Sequence, residues 1–276
     1  MPTNDPKPSK ANRRDAARAK ALALREEQRK RDQRRRAYLV TAAVAILAAI
    51  AITVTVIIGH SGSPSLSKIA APAGATANAG IPIGPDGVAG KPIRDGAIVV
   101  DVYTDFMCPI CGQFEQENGA VLDELSKAGT AAIVYHPIAI LDRYSQGTQY
   151  STRAAQAAAV VADKDPQHYL AFDEALFANQ PKEDTVGLSD AQLAQLATNV
   201  GVPAAVAATF TDGKFTDWVT AATEQASKNG VSGTPAVMIN GKLVPPTLDW
   251  RVAGALKTAI LAAGAPASPS SSPTSS

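Results

Sequence analysis

The chain has 276 residues, enough for one large domain or two small ones, and 46% of them are hydrophobic, enough for a substantial core. Its formal net charge of +1 conceals an uneven distribution. Residues 1–36 carry thirteen basic and five acidic side chains, and the rest of the chain carries a net charge of −7. With only two cysteines, the chain can form neither a disulfide-dense scaffold nor a four-cysteine zinc site.

Residues 1–37 are polar, basic and nearly free of large apolar side chains, which predicts a disordered cytoplasmic tail. No aromatic residue is interleaved with the basic ones, so the pattern does not indicate a nucleic-acid partner. Residues 38–58 carry no charge and have the length of roughly 20 residues with which an α-helix crosses a bilayer. They predict a single transmembrane helix.

Three arginines at positions 34–36 precede this apolar run, and no charge follows it until Lys68. The positive-inside rule then places the N-terminus in the cytoplasm and everything after residue 58 outside the membrane. A long, cleaved signal peptide is the alternative, because small side chains at 70–75 offer cleavage sites.

The remainder of the chain reads as a linker, one folded domain and a tail. Residues 59–80 are rich in Gly, Pro, Ala and Ser and predict a flexible linker, whereas the Pro/Ser-rich residues 265–276 predict a disordered tail. Between them, residues 81–264 predict an α/β domain. Its predicted elements are an opening loop near 81, a strand over 97–106, a helix to 127, a strand over 131–141 and helices throughout 142–229, one of which begins with a capping box at Ser189. A hairpin over 236–244 with an Asn240-Gly241 turn and a helix over 249–263 follow.

Both cysteines lie in the segment Cys108-Pro109-Ile110-Cys111, at the junction of the first strand and first helix. The N–H groups and the positive end of the helix dipole favour a thiolate on the first cysteine there. The second is close enough to form a disulfide with the first and to release whatever it has attacked. A structural disulfide is a weaker reading, because a loop of four residues constrains the unfolded chain little, and a metal site would need further ligands.

Three segments resemble the DsbA-like thiol-disulfide oxidoreductases, whose thioredoxin fold contains an inserted α-helical domain. Residues 105–114 (DFMCPICGQF) resemble the active-site segment of that family, and residues 135–141 (YHPIAIL) resemble the second core strand and its proline-containing end. Residues 231–241 (VSGTPAVMING) resemble the segment with a cis proline that precedes the hairpin. The resemblance implies this fold for residues 81–264, with the insertion at about 142–229.

The same resemblance implies roles for individual residues. Cys108 would be the nucleophile and Cys111 the resolving thiol, while Thr234 and Pro235 would form a cis pair that faces them and holds an extended substrate. Pro109, Ile110 and Asp105 are candidates for tuning the cysteine pair, and a cap or hydrogen bond near the start of the helix is the favoured role of Asp105. No cofactor is expected, because the cysteines themselves carry the electrons.

Two departures from the family pattern bear on the redox potential. The position six residues before the first cysteine, where relatives often keep a buried acid, is Val102, and Asp101 should point to the opposite face of the strand. Ile110 stands where strongly oxidising relatives have histidine. Without that donor we expect a milder oxidant than DsbA, whose potential is about −120 mV.

These features predict a membrane-anchored, extracytoplasmic oxidase that introduces disulfides into exported cysteine-containing proteins. A membrane redox partner, not encoded in this chain, would reoxidise it. Two alternatives remain open at this stage: a disulfide reductase, for instance in cytochrome maturation, and an anchored domain that binds polypeptides without catalysis.

Overall fold

The computed structural model describes residues 66–264. The predicted basic tail, the predicted membrane helix at 38–58, the first part of the linker and the C-terminal tail all lie outside these residues. Within 66–264, every helix is too short or too polar to cross a membrane.

A single mixed sheet of five strands forms the centre of the domain. The strands are β1 (Ile81–Ile83), β2 (Ile98–Thr104), β3 (Ala131–Pro137), β4 (Ala236–Ile239) and β5 (Lys242–Leu243). Their spatial order is β1-β3-β2-β4-β5, with β2 parallel to β3 and every other neighbouring pair antiparallel. The central strand β2 therefore carries the active-site segment at its C-terminal end, between β3 and β4.

The described part of the chain contains seven α-helices. They are α1 (Pro109–Lys127), α2 (Tyr150–Lys164), α3 (Tyr169–Ala178), α4 (Asp190–Asn199), α5 (Ala204–Ala207), α6 (Thr216–Lys228) and α7 (Ala255–Ala263). Helices α2 to α6 lie between β3 and β4 in the sequence, where the inserted helical domain is expected. The thioredoxin fold with a helical insertion is confirmed.

Alternation along β2 sorts its side chains between the two faces of the sheet. Val100 and Val102 are fully buried in the main core with residues of α1 and α7. Tyr103 belongs to a second, smaller cluster that includes Ala226 of α6. The sheet is therefore covered on both faces, and only the ends of its strands are available to form a site.

The inserted helices pack around α2, whose side chains are small. Five alanines of α2 are fully buried: Ala154, Ala155, Ala157, Ala158 and Ala159. Alanine combines high helix propensity with a small volume, so neighbouring helices approach α2 closely on several sides. Phe172 of α3 and Trp218 of α6 fill the space next to it.

The structure departs from the sequence-based expectations at four places. Residues 81–83 form the edge strand β1, not a loop, and residues 66–80, expected to be part of a flexible linker, pack partly on the core through Ile69 and Ala79. Strand β3 ends at Pro137, because its partner β2 ends at Thr104, the residue paired with Pro137. Helix α7 begins only at Ala255, because a turn with Gly254 at φ 78° precedes it.

The hairpin between β4 and β5 is formed by the predicted Asn240-Gly241 turn. Both residues have positive φ, 50° and 74°, as a two-residue turn of this kind requires. The side-chain oxygen of Asn240 also accepts a hydrogen bond from the amide of Val99 at 2.9 Å. This contact fixes the hairpin to β2 and thereby fixes the position of the preceding Thr234-Pro235 segment.

Helix α4 begins with the capping box predicted at Ser189, whose hydroxyl accepts from the amide of Gln192 while the Gln192 side chain accepts from the amide of Ser189. We expect Ser189→Ala to lower the free energy of unfolding by about 1 kcal/mol, because the first turn loses an acceptor. Urea denaturation measures this change. Ser189→Asp keeps an acceptor and should stay close to wild type; equal losses in both variants would contradict a capping effect.

Candidate active site

The candidate active site begins where β2 gives way to α1. Cys108 is the N-cap residue of α1, with extended backbone (φ −78°, ψ 112°), and Pro109 occupies the first turn, where its missing N–H costs nothing. The sulfur of Cys108 therefore lies at the N-terminus of a nineteen-residue helix, where free N–H groups and the helix dipole favour negative charge.

Both cysteines are free thiols, and their surroundings are unequal. The pKa of the Cys108 thiol is lowered, chiefly by a hydrogen bond from the Cys111 thiol and further by the Thr234 side chain and the amides of Cys111 and Ile110, which outweigh the opposing effect of burial. The pKa of Cys111 is raised, first by burial and then by the neighbouring Cys108 sulfur. Cys108 is therefore the sulfur that ionises, and Cys111 is fully buried behind it.

The Thr234-Pro235 peptide bond is cis and lies across from Cys108. The Cys108 thiol donates a hydrogen bond to the carbonyl oxygen of Thr234 at 3.3 Å. The two segments that the sequence separates by more than 120 residues are thus in direct contact.

A groove of about 660 Å³ lies beside Thr234 and Pro235 and along the hairpin. Its lining includes Thr234 and Pro235, the apolar side chains of Phe114 and Trp250, and the charged pair of Asp249 and Arg251. An extended peptide that enters this groove would meet backbone groups near Thr234 and mainly apolar side chains beyond it.

Pro109 and Ile110, predicted to tune the cysteine pair, are exposed beside the sulfur. The Ile110 side chain is 44% accessible and contributes an apolar surface, while its amide is one of the groups that lower the pKa of Cys108. Ile110 therefore affects the pKa of Cys108 through its backbone amide.

Asp105, the third predicted tuning residue, is fully buried and connects the turn to the segment after β3. Its Oδ1 accepts from the amide of Met107 at 2.8 Å, and its Oδ2 accepts from the amides of Ile140 and Leu141 at 2.9 Å each. Burial raises the pKa of Asp105 to about 6, and the hydrogen bonds from these amides oppose the rise. Its side chain thus fixes the shape of the turn that carries Cys108.

The strand position six residues before Cys108 is occupied by Val102, which is fully buried among apolar side chains. Asp101 points to the other face of the sheet, where its Oδ1 lies 2.9 Å from Nε2 of His136. The ring of His136 is buried and stacks on Tyr103 with a centroid distance of 4.1 Å. No strand acid therefore lies beside Val102 on the face toward α1.

Sequence reasoning missed Gln180, which the structure places at the same turn. It follows α3 in the helical insertion, and its Nε2 donates to the carbonyl oxygens of Phe106 and Cys108 at 3.0 and 2.9 Å. Nothing in the sequence near position 180 marks it, because the contact joins segments more than 70 residues apart.

Among residues 66–264, no group of three or more His, Cys, Asp or Glu side chains comes together in a way that would hold a metal ion. The chemistry available at this site is that of a polarised dithiol near a groove with a mainly apolar lining. One sulfur is suited to attack and leave as a thiolate, and the other is suited to resolve a mixed disulfide.

A family model described as thioredoxin matches residues 90–256. The chain belongs to the thioredoxin family, among its DsbA-like thiol-disulfide oxidoreductases. Two solved structures from Mycobacterium tuberculosis support this placement. The disulfide bond oxidoreductase DsbG is 35% identical, with a TM-score of 0.52 and coverage of 59% of this chain and 76% of that chain. Oxidised DsbA is 31% identical, with a TM-score of 0.56 and coverage of 68% and 93%.

A curated relative of this DsbA-like protein is the serine/threonine-protein kinase PknE of Mycobacterium tuberculosis. The two are 33% identical over 168 residues, which represent 55% of this chain and 30% of the kinase. The chain thus spans less than a third of the length of the curated relatives it matches.

The unequal pKa values predict that a small alkylating reagent distinguishes the two cysteines. In the reduced protein, we expect iodoacetamide to modify Cys108 at a lower pH than in the urea-unfolded chain, and to leave Cys111 unmodified in the folded state. Peptide mass spectrometry measures both. Cys111→Ala should move the Cys108 profile to higher pH, because the main hydrogen-bond donor is lost, whereas Cys111→Ser keeps a donor. Equal modification of both cysteines would contradict the assignment.

The raised pKa of Asp105 predicts a pH-dependent stability. The folded state holds the proton more tightly than the unfolded chain, so this contribution is complete below about pH 4 and is lost as the pH rises through about 6. At about 1.4 kcal/mol per pKa unit, the loss is about 3 kcal/mol. We expect urea denaturation between pH 4 and 7 to show this fall in the wild type but not in Asp105→Asn. Parallel curves for the two proteins would argue against it.

Proposed function

We propose that this protein is an oxidase that introduces disulfides into exported proteins through Cys108 and Cys111. The observation that carries the proposal is the asymmetry of the dithiol. The Cys108 thiolate is stabilised at the helix N-terminus and by the Cys111 thiol, and Cys111 is buried. A stabilised thiolate favours the reduced form of the enzyme, and an enzyme whose reduced form is favoured is an oxidant.

The reaction proceeds by two thiol-disulfide exchanges. A substrate thiolate attacks Cys108 in the Cys108–Cys111 disulfide, the S–S bond breaks, and Cys111 leaves as a thiolate that takes up a proton. A second substrate thiolate then attacks the substrate sulfur of the mixed disulfide, and Cys108 leaves as its stabilised thiolate. Two electrons pass from substrate to enzyme, and the substrate gains one disulfide.

The groove next to Thr234 and Pro235 supports a polypeptide as the substrate. Its apolar lining and its exposed backbone groups suit an extended segment that carries the reacting cysteine. Ile110 offers no side-chain donor to the Cys108 thiolate, which supports an oxidant milder than DsbA.

The location proposed for the domain is the outer side of the cytoplasmic membrane. This rests on the uncharged residues 38–58 and on the three arginines that precede them. Disulfides persist in that compartment, and a membrane redox partner would take the two electrons from the Cys108/Cys111 dithiol and restore the disulfide.

Single cysteine variants test the proposal in an oxidative refolding assay with reduced ribonuclease and in cells. We expect Cys108→Ser to reduce refolding to the rate seen with glutathione alone, because the attacked sulfur is lost. Cys111→Ser should accumulate mixed disulfides with exported proteins, visible on non-reducing gels, because Cys108 can no longer be released by its neighbour.

Thiol trapping of the wild-type protein in cells then decides the direction of electron flow. A pair that is mostly oxidised is the expected result for an oxidase. A pair that is mostly reduced would overturn the oxidase and favour a reductase. If both serine variants keep the wild-type cellular activity, the domain acts by binding and the catalytic proposal is wrong.

A further inference from the structure

Gln180 connects the helical insertion to the turn that carries Cys108. Both N–H bonds of its carboxamide are used, one to the carbonyl oxygen of Phe106 at 3.0 Å and one to that of Cys108 at 2.9 Å. A single side chain thus holds the carbonyl groups of Phe106 and Cys108, and it fixes the orientation of the two peptide groups to which they belong.

A ring contact supports the same attachment. Phe177, in the last turn of α3, packs on Phe106 with a centroid distance of 4.9 Å. The amide of Gln180 donates to the carbonyl of Phe177 at 3.3 Å, so the two contacts come from one short segment. The end of α3 therefore contacts the active-site turn by an apolar and a polar interaction.

Gly112 leaves room for the carboxamide. A Cβ atom at position 112 would lie 2.8 Å from Oε1 of Gln180, closer than a real Cβ contact allows. The Gln180 side chain can move, but a side chain at position 112 would displace it from the two carbonyls. The glycine after the second cysteine and the glutamine of the insertion are thus sterically matched.

The carbonyl of Cys108 also accepts from the amides of Cys111 at 2.9 Å and Gly112 at 3.3 Å. Gln180 therefore adds a donor at the point where the first turn of α1 closes. The positive ends of its N–H groups lie on the carbonyl oxygens of Phe106 and Cys108, in the turn that carries the Cys108 sulfur, and they offset the negative ends of those carbonyl dipoles.

We propose that Gln180 is a positioning residue through which the helical insertion sets the redox equilibrium of the Cys108/Cys111 pair. By holding the turn and offsetting the carbonyl dipoles, it stabilises the reduced form, in which Cys108 is ionised to a thiolate. This inference rests on the proposed role of Cys108 as the attacking sulfur.

The test measures the equilibrium of the purified protein with glutathione, in which the dithiol and oxidised glutathione give the protein disulfide and two molecules of reduced glutathione. Gln180→Met keeps the length of the side chain and removes both donors. We expect it to shift the equilibrium about 3- to 10-fold toward the protein disulfide, as the loss of two hydrogen bonds to carbonyls implies. Gln180→Glu should shift it further, because a carboxylate repels both carbonyl oxygens.

A second readout follows the Cys108 thiolate by its absorbance at 240 nm as the pH is raised. In Gln180→Met the thiolate should form at higher pH than in the wild type. Asn179→Ala is the matched control, because the Asn179 amide bonds only within its own helix, to the carbonyl of Ala175 at 2.9 Å. It should match the wild type in both measurements.

Gly112→Ala provides an independent route to the same contact, with Gln180 intact. It should shift the glutathione equilibrium in the same direction as Gln180→Met, and the double variant should shift it no further than the larger single change, because both remove one interaction. This variant also carries the test if Gln180→Met fails to fold.

The proposal is overturned if folded Gln180→Met and Gly112→Ala both keep the wild-type equilibrium and thiolate titration, or if their effects add fully in the double variant. An equal shift in Asn179→Ala would also overturn it. The failure of the proposed function is recognised separately: the Cys108/Cys111 pair would then be mostly reduced in cells, whereas the glutathione equilibrium of the purified protein would still respond to Gln180→Met.

Discussion

The candidate active site depends on the turn between β2 and α1, because this turn places the Cys108 sulfur at a helix N-terminus. Three distant segments hold this turn. The side chain of Asp105 binds it to the segment after β3, and Gln180 binds it to the helical insertion. The carbonyl oxygen of Thr234, just before the hairpin, accepts a hydrogen bond from the Cys108 thiol. Cys108 lies at the junction of strand β2 and helix α1, and contacts from the rest of the fold determine the orientation of its side chain.

The thiols of the two cysteines differ in pKa because they differ in environment. Cys108 meets the N–H groups of the first turn, the Cys111 thiol and the Thr234 side chain, whereas Cys111 is enclosed by the core. A buried thiol with a raised pKa is a poor nucleophile. In the proposed reaction, this slows the attack of Cys111 on the mixed disulfide and leaves time for the second substrate thiolate to complete the exchange.

The helical insertion contributes to the site as well as to the core. Its alanine-rich helix α2 allows the other helices to pack closely, and this packing carries the end of α3 to the active-site turn, where Phe177 and Gln180 make contact. On the opposite side, the hairpin and the segment before α7 form a groove lined by Phe114 and Trp250. The reacting sulfur thus lies between an element that positions it and a surface that suits a polypeptide.

The sequence by itself determined the order of the main elements, the Asn240-Gly241 turn and the Ser189 cap, because periodicity, turn chemistry and capping depend on neighbouring residues. It also pointed to Cys108, Cys111, Thr234 and Pro235 through local motifs. Only the tertiary structure decided that β1 is a strand, that Asp105 holds residues 140 and 141, and that Gln180 reaches Cys108. Each of these contacts joins segments at least 35 residues apart. Local sequence patterns cannot predict such contacts, because they depend only on neighbouring residues.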